Sequence, residues 1–181
     1  MEDAQILANF ADKRTRDEAF GQLLKKYQQK IYWHVRRLVI DHDDADDLVQ
    51  DIFIKVWKNL ENFREDAQLY TWLYRIATNE CITFLNKKKQ RHQVSLDDES
   101  SAYLADTLTD TTYFNGDQAQ LKLQQALLTL PEKQRIVFNM KYFDDLKYEE
   151  ISNIVGTSVG ALKASYHLAV KKIAHFFEEN D

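Results

Sequence analysis

Four glycines and one proline in 181 residues leave few places where this backbone can turn sharply. Sandwiches and other turn-rich β folds need both residues often, one for positive φ and the other for a fixed φ. A chain this poor in them is expected to be all-α, and its apolar spacing agrees. From Asp17 to about Ile40, Phe20, Leu23, Leu24, Tyr27, Ile31, Val35 and Leu38 recur every three or four residues, as on one face of a helix. Asp43 and Asp44 open a second helix to about Leu60, where acids complement the positive end of the helix dipole. Leu48, Val49, Ile52, Phe53, Val56, Trp57 and Leu60 form its wide apolar surface; Asp47, Gln50, Asp51, Lys55 and Lys58 are the polar remainder. Residues 61–69 break the pattern and predict a loop. A third helix follows from Thr71, with Leu73, Ile76, Ala77, Ile82 and Leu85 on one side, and ends in the basic cluster Lys87, Lys88, Lys89 and Arg91.

Charge divides the chain more sharply than its net value of −5 suggests. Residues 1–92 hold 16 basic and 15 acidic side chains, and residues 121–181 hold eight of each. Between them, 93–120 hold no basic residue and six acids, Asp97, Asp98, Glu99, Asp106, Asp110 and Asp117. This segment is rich in Ser, Thr and Asp, shows no sustained helical stripe, and reads as an acidic, flexible, mostly irregular linker. Two readings fit it equally: a solvated tether, or a negative strand following a path otherwise taken by nucleic acid. Leu96, Tyr103, Leu104 and Phe114 would be its occasional anchors. The expected organisation is therefore two small helical domains, 1–92 and 121–181, joined by 93–120. A hydrophobic content of 44% suffices for two modest cores. The single cysteine, Cys81, forbids an internal disulfide and fits a reducing cytoplasm. The N-terminus has no signal-peptide core, and no apolar run is long enough to span a bilayer, so a cytoplasmic, non-membrane protein is expected.

The C-terminal part opens with a short helix over Leu121, Leu123, Ala126 and Leu127, after which Pro131 suits a first helical position. Ile136, Val137, Met140 and Tyr142 or Phe143 give the next stripe. A short helix from Tyr148 to Val155 is then ended by Gly156, and Ser158 is placed to cap the last helix. On that helix Leu162, Tyr166, Ala169, Val170, Ile173 and Phe177 share one face. Two helices across a tight glycine turn form a helix-turn-helix, whose second helix can enter a major groove. By spacing alone, helical hairpins that bind nothing look the same.

Three blocks carry a more specific signal: IDHDDADDLVQDIFIKVW, NFREDAQLYTWLYRIATNECITFL, and LPEKQRIVFNMKYFDDLKYEEISNIVGTSVGALKASYHLAVKKI. Together, in this order and spacing, they resemble regions 2.2, 2.3–2.4 and 4 of an extracytoplasmic-function (ECF) sigma factor, from about residue 15 to 177. The resemblance implies that helix 43–60 grips the clamp helices of the RNA polymerase β′ subunit through Asp47, Gln50 and Asp51. It implies that loop 61–69 and the following helix open promoter DNA at the −10 element by holding single strands and an extruded base. Phe63, Arg64 and Asn79 match positions around that base, Tyr70, Trp72 and Tyr74 are near it in sequence, and Lys87, Lys88, Lys89 and Arg91 would contact the DNA backbone. Trp72, an aromatic at helical spacing, also suits a core position, and the lysines also suit a solvated helix end. Thr83 stands where the family often has aspartate.

In region 4 the last helix would read the −35 element through Lys163, Ser165, His167 and Lys171. Ser158 would lie at its start, and Arg135 and Lys147 would contact phosphates or serve as ordinary surface charge. Many relatives carry arginines where this chain has Ser165 and Leu168, which limits bidentate guanine readout and shifts the load to phosphate contacts and DNA shape. The implied partners are core RNA polymerase (β′ clamp helices and β flap), promoter DNA and an anti-sigma factor, with no small-molecule substrate, cofactor or metal. Enzyme readings lack their residues: His34, His42, His92, His167 and His175 show no metal spacing with Cys81 or each other, and there is neither a glycine-rich phosphate loop nor a nucleophile elbow. The alternative function is a stand-alone helix-turn-helix regulator of duplex DNA, which leaves the N-terminal half unemployed. An RNA-binding adaptor would need only the basic end at 87–91.

Overall fold

The computed structural model describes residues 1–95, 98, 100–109 and 117–181. Among these the regular structure is all helical, with one isolated bridge between Ser100 and Pro131. Helix α1, Asp3–Ala11, precedes the three long N-terminal helices α2 (Arg16–Val39), α3 (His42–Asn59) and α4 (Leu69–Arg91). The bounds of α2 and α3 fall where the apolar spacing puts them. Ile40 ends α2 by turning to φ 72°, and its N–H returns to Arg36 O. Asp41 then caps α3, its carboxylate accepting from the Asp44 amide at 2.9 Å. A 3-10 turn, Leu60–Asn62, leads into the loop before α4.

Two N-terminal findings were not expected from sequence. The first is α1, which buries only Ile6 and Phe10, one turn apart. It is held on α2 by the Tyr27 hydroxyl and the Lys26 ammonium, both on the Asp3 carboxylate. The second is that α4 starts two residues early, at Leu69, and is buried on several sides because it packs on α2, α3 and a C-terminal helix.

The linker departs from the irregular tether expected. Its described residues include a 3-10 turn, Ala102–Leu104, and helix α5, Ala105–Thr109. Leu104 and Leu108, four apart and so on one face, are buried against the rest of the chain, while Tyr103 is half-buried. Leu96 and Phe114 lie outside the described residues. Helix α6, Gln118–Leu128, begins three residues before the expected boundary, with Asp117 capping it through the Gln120 amide.

Helices α7 (Glu132–Tyr142), α8 (Tyr148–Val155) and α9 (Val159–Glu179) complete the chain. Pro131 takes the cap position of α7, one place earlier than expected. A compact cluster of Ala126, Leu127, Leu130, Phe138, Ala169 and Ile173 joins α6, α7 and α9. The larger core runs continuously from Ile6 to Leu162, so the two halves share buried surface. Val170, expected on the inner face of α9, is 42% exposed, since the inner stripe narrows to Leu162, Ala169 and Ile173.

Candidate functional site

Along the outside of α2 and α3 runs an open apolar groove of about 490 Å³, lined by Phe20, Leu24, Gln28, Val49, Gln50, Phe53, Ile54 and Trp57. Ile54 is 53% exposed and Trp57 36%, although Leu48, Ile52 and Val56 on the same helix are buried. Trp57 is set edge-on against Phe10 and Phe20, with centroids 5.3 and 5.0 Å away, so α1 fixes the indole that ends the groove. Asp47, Gln50 and Asp51 are all exposed, spaced three and four residues apart on α3. Acids and amides beside bare apolar side chains suit a protein partner with basic and aliphatic groups better than they suit nucleic acid.

A second surface surrounds the start of α4. Phe63, half-buried, lies 5.3 Å from Trp72, and both pack against the core; the indole therefore does partly structural work. Arg64 and Asn79 are exposed. The Tyr70 hydroxyl instead donates to Glu150 on α8, and burial followed by this carboxylate pushes its pKa up to about 12. Lys87 is exposed; Lys88 pairs with Asp44 at 3.2 Å and lies over the Phe84 ring. Lys89 is buried, donating to Asp98 O at 2.7 Å beside Glu132.

The third surface is the outer face of α9. Gly156 takes φ 76° at the end of α8, where a side chain would be strained, and Ser158 accepts from the Ala161 amide at 3.3 Å. Lys163, His167 and Lys171 are exposed along α9, with Ser165 half-buried and Leu168 48% exposed. Lys147, also exposed, precedes α8, its backbone N–H donating to Glu150. Arg135 departs from the surface position that a phosphate contact requires. It is 1% exposed, and it donates from Nη1 to Arg37 O and Leu38 O and from Nε to Ser101 Oγ. Burial pulls its pKa below the ordinary value, against the opposing pull of Glu132.

Two family models match this chain, sigma-70 region 2 over residues 23–91 and sigma-70 region 4 over residues 120–173. The RNA polymerase sigma-H factor of Pseudomonas aeruginosa is 34% identical over 160 residues, covering 84% of this chain and 81% of its own. The ECF RNA polymerase sigma factor SigW of Bacillus subtilis is 32% identical over 162 residues, covering 86% and 87%. The chain belongs to the extracytoplasmic-function sigma factors.

Solved structures share the fold of this sigma factor. The sigma factor RpoE in complex with the anti-sigma factor NepR from Bartonella quintana superposes with a TM-score of 0.68, at 23% identity, over 88% of this chain and 96% of that one. CnrH in complex with the cytosolic domain of CnrY gives 0.68 at 22% identity, over 98% and 96%. In the sigma factor described here, a cleft of about 530 Å³ opens between the two halves, with Lys30, Trp33 and Arg37 on one wall and Phe143, Asp144 and Leu146 on the other. Sequence reasoning missed Arg75, whose Nε and Nη2 donate to Asn153 O at 3.1 and 2.6 Å. Nothing in its local spacing distinguishes it from surface charge. His42, Asp43 and Asp46 bring ligand atoms within 4.8 Å of one another. Both ring nitrogens of His42 already face chain partners, Tyr32 at 2.7 Å and Asp46 at 3.2 Å. Among the described residues, no helix is long and apolar enough to cross a membrane.

Proposed function

We propose that this sigma factor acts in the cytoplasm, docks on core RNA polymerase through residues 1–92, reads the −35 duplex through residues 121–181, and opens DNA at the −10 element without catalysing a reaction. The observation that carries the reading is the separation of two chemically different surfaces in one chain: an acidic and apolar groove on α3, and an exposed basic face on α9. Ile54, Trp57, Asp47, Gln50 and Asp51 offer the β′ clamp helices a contact with an apolar centre and a polar rim. Lys163, Ser165, His167 and Lys171, with Ser158 and Lys147, offer a duplex phosphate contacts and limited base-edge readout.

Strand opening needs no nucleotide hydrolysis in this scheme, because the protein only has to bind unpaired bases more tightly than paired ones. Phe63 and Trp72 supply ring surface, Arg64 and Lys87 supply charge, and Asn79 supplies an amide for a base edge. The region-4 half docks on the β flap, and an anti-sigma factor covers the two halves between inductions. A stand-alone regulator would use α7 to α9 and leave the α2–α3 groove without a role. The test is run-off transcription with purified core polymerase and pooled genomic fragments, with and without the protein. Discrete new transcripts sharing two upstream elements are expected. No new transcript, together with failure to co-elute with core polymerase, overturns the proposal.

A further inference from the structure

Arg16 stands at the first position of α2, where a cation works against the positive end of the helix dipole. The acids that this end favours, Asp17 and Glu18, come directly after it. What offsets the unfavourable placing lies outside α2. The guanidinium donates from Nε to Phe10 O at 3.1 Å, in the last turn of α1, where carbonyls have no partner within the helix. It also lies over the Phe10 ring, 5.0 Å from the centroid, and Nη2 forms an ion pair with Glu61. One side chain thereby joins α1, α2 and the 3-10 turn Leu60–Asn62.

Glu61 lies in the turn that opens loop 61–69, and most of that loop has little to hold it. Arg64, Glu65, Asp66 and Gln68 are exposed. Phe63, half-buried 5.3 Å from Trp72, ties the loop to α4, and the Arg16–Glu61 pair ties its head to α1 and α2. The α1 side of the tie is firm. Phe10 is buried and set edge-on to Trp57, and Asp3 binds the far end of α1 to Lys26 and Tyr27. Between α1 and the loop head runs an open groove of about 440 Å³, lined by Leu7, Phe10, Leu60, Glu61, Phe63 and Glu65. A loop head released from Arg16 has this space to move into.

We propose that Arg16 is a positioning residue for promoter opening: it clamps Glu61 to the end of α1 and so sets loop 61–69 in the geometry that receives the extruded base. The proposal rests on the reading of that loop as the part that takes the base at the −10 element. Arg16 stands behind the loop and touches no DNA in this scheme. A loop already ordered when the base arrives has less conformational freedom to lose on capture. Loss of the clamp therefore slows opening and leaves docking on polymerase unchanged.

Arg16→Gln removes the charge and keeps a donor for Phe10 O. Glu61→Gln removes the other half of the pair and leaves Arg16 on the Phe10 ring. Each variant is assembled with core polymerase, at saturating concentration, on two templates. One is a duplex promoter recovered from the run-off assay; the other is the same promoter with mismatched strands over the −10 segment. Fluorescence of 2-aminopurine in that segment follows opening of the duplex. Both variants should open it about fivefold more slowly than wild type, since small errors of position are costly in rate. On the mismatched template they should yield transcript at the wild-type rate, with unchanged affinity for core. The double variant should be no slower than either single one, because both changes break the same contact.

An unchanged opening rate, an equal loss on both templates, a matching fall in core affinity, or additive losses in the double variant overturns the proposal. Hydrogen exchange on the free chain reads the clamp without DNA. Amides of residues 61–69 should exchange faster in both variants while those of α2 and α3 keep their protection, and unchanged exchange in the loop also overturns it. Failure of the proposal alone would show as a wild-type chain that initiates transcription beside variants that open the duplex equally fast. A wild-type chain that yields no transcript from any fragment instead removes the promoter-opening reading, and the role of Arg16 in it.

Discussion

Helices α4 and α9 are of similar length, 23 and 21 residues, and both carry residues proposed to contact DNA, yet they are built into the molecule differently. The first is wedged between α2, α3 and α8, and buries Leu69, Thr71, Leu73, Tyr74, Ala77, Thr78, Cys81, Leu85 and Lys89. The second lies at the rim and packs on α6, α7 and α8 through one side only. It buries Leu162, Ala169 and Ile173 with Tyr166, Phe176 and Phe177 half-buried beside them, while Lys163, His167, Leu168, Val170 and Lys171 face solvent. A wedged helix has no single apolar stripe, so its functional side chains are those that emerge in the gaps between its partners. A rim helix separates an inner face from an outer one, and the two can vary independently. The difference predicts that substitutions on α4 disturb fold and function together, whereas those on α9 separate them.

The largest effect that tests this comparison is on stability. Leu85→Ala, at a fully buried position of α4, is expected to lower unfolding free energy by about 2 to 5 kcal/mol. Val170→Ala, 42% exposed on α9, should stay within about 0.5 kcal/mol of wild type. Urea titration followed by circular dichroism measures both. Equal losses at the two positions would mean that α9 is as deeply integrated as α4, and the contrast would fail.

A second test asks whether the α3 groove is as separable as the α9 face. Ile54→Glu places a charge on a side chain already 53% exposed, so stability should hold. Affinity for core polymerase should fall by about tenfold or more, as when an apolar anchor is lost at an interface centre. Fluorescence anisotropy with labelled protein and core polymerase reads the loss; undiminished binding would place the docking surface elsewhere. On α9 the matching change is Lys163→Ala. It should weaken duplex binding by severalfold across sequences and reduce the slope of log K against log salt by about 1, with melting unchanged. An unchanged slope would remove Lys163 from the phosphate contacts.

How far the molecule could be read from sequence follows the same division. The limits of α2 and α3 and the Gly156 turn are legible because each is set locally, by spacing, by a capping residue, or by a backbone angle that glycine favours. The exposure of Lys163, His167 and Lys171 is legible for the same reason. Helix α1 is not, since two buried residues in nine make too short a stripe, and its order comes from Asp3 meeting Lys26 and Tyr27 far along the chain. Leu104 and Leu108 are buried by residues outside the linker. Arg75 and Arg135 look alike in sequence, as cations on helices. Only tertiary packing turns one into a half-buried cap and the other into a fully buried one.

The smallest expected effect falls on Ser158, where the two roles that α9 keeps apart meet in one side chain. Its hydroxyl accepts from the Ala161 amide as the helix cap, and its place at the start of α9 also puts it beside the proposed −35 duplex. Ser158→Ala should cost about 1 kcal/mol of stability by removing the cap, so weaker DNA binding in that variant would not say which role was lost. Ser158→Asp separates them. Aspartate caps a helix about as well as serine and suits the positive end of the dipole, so melting should match wild type within about 0.5 kcal/mol. Its negative charge repels phosphate, and duplex affinity should fall by severalfold at low salt with the loss shrinking as salt rises. A Ser158→Asp chain that is stable and binds duplex as wild type does would make Ser158 a cap and nothing more, and the DNA-facing surface of α9 would begin at Lys163.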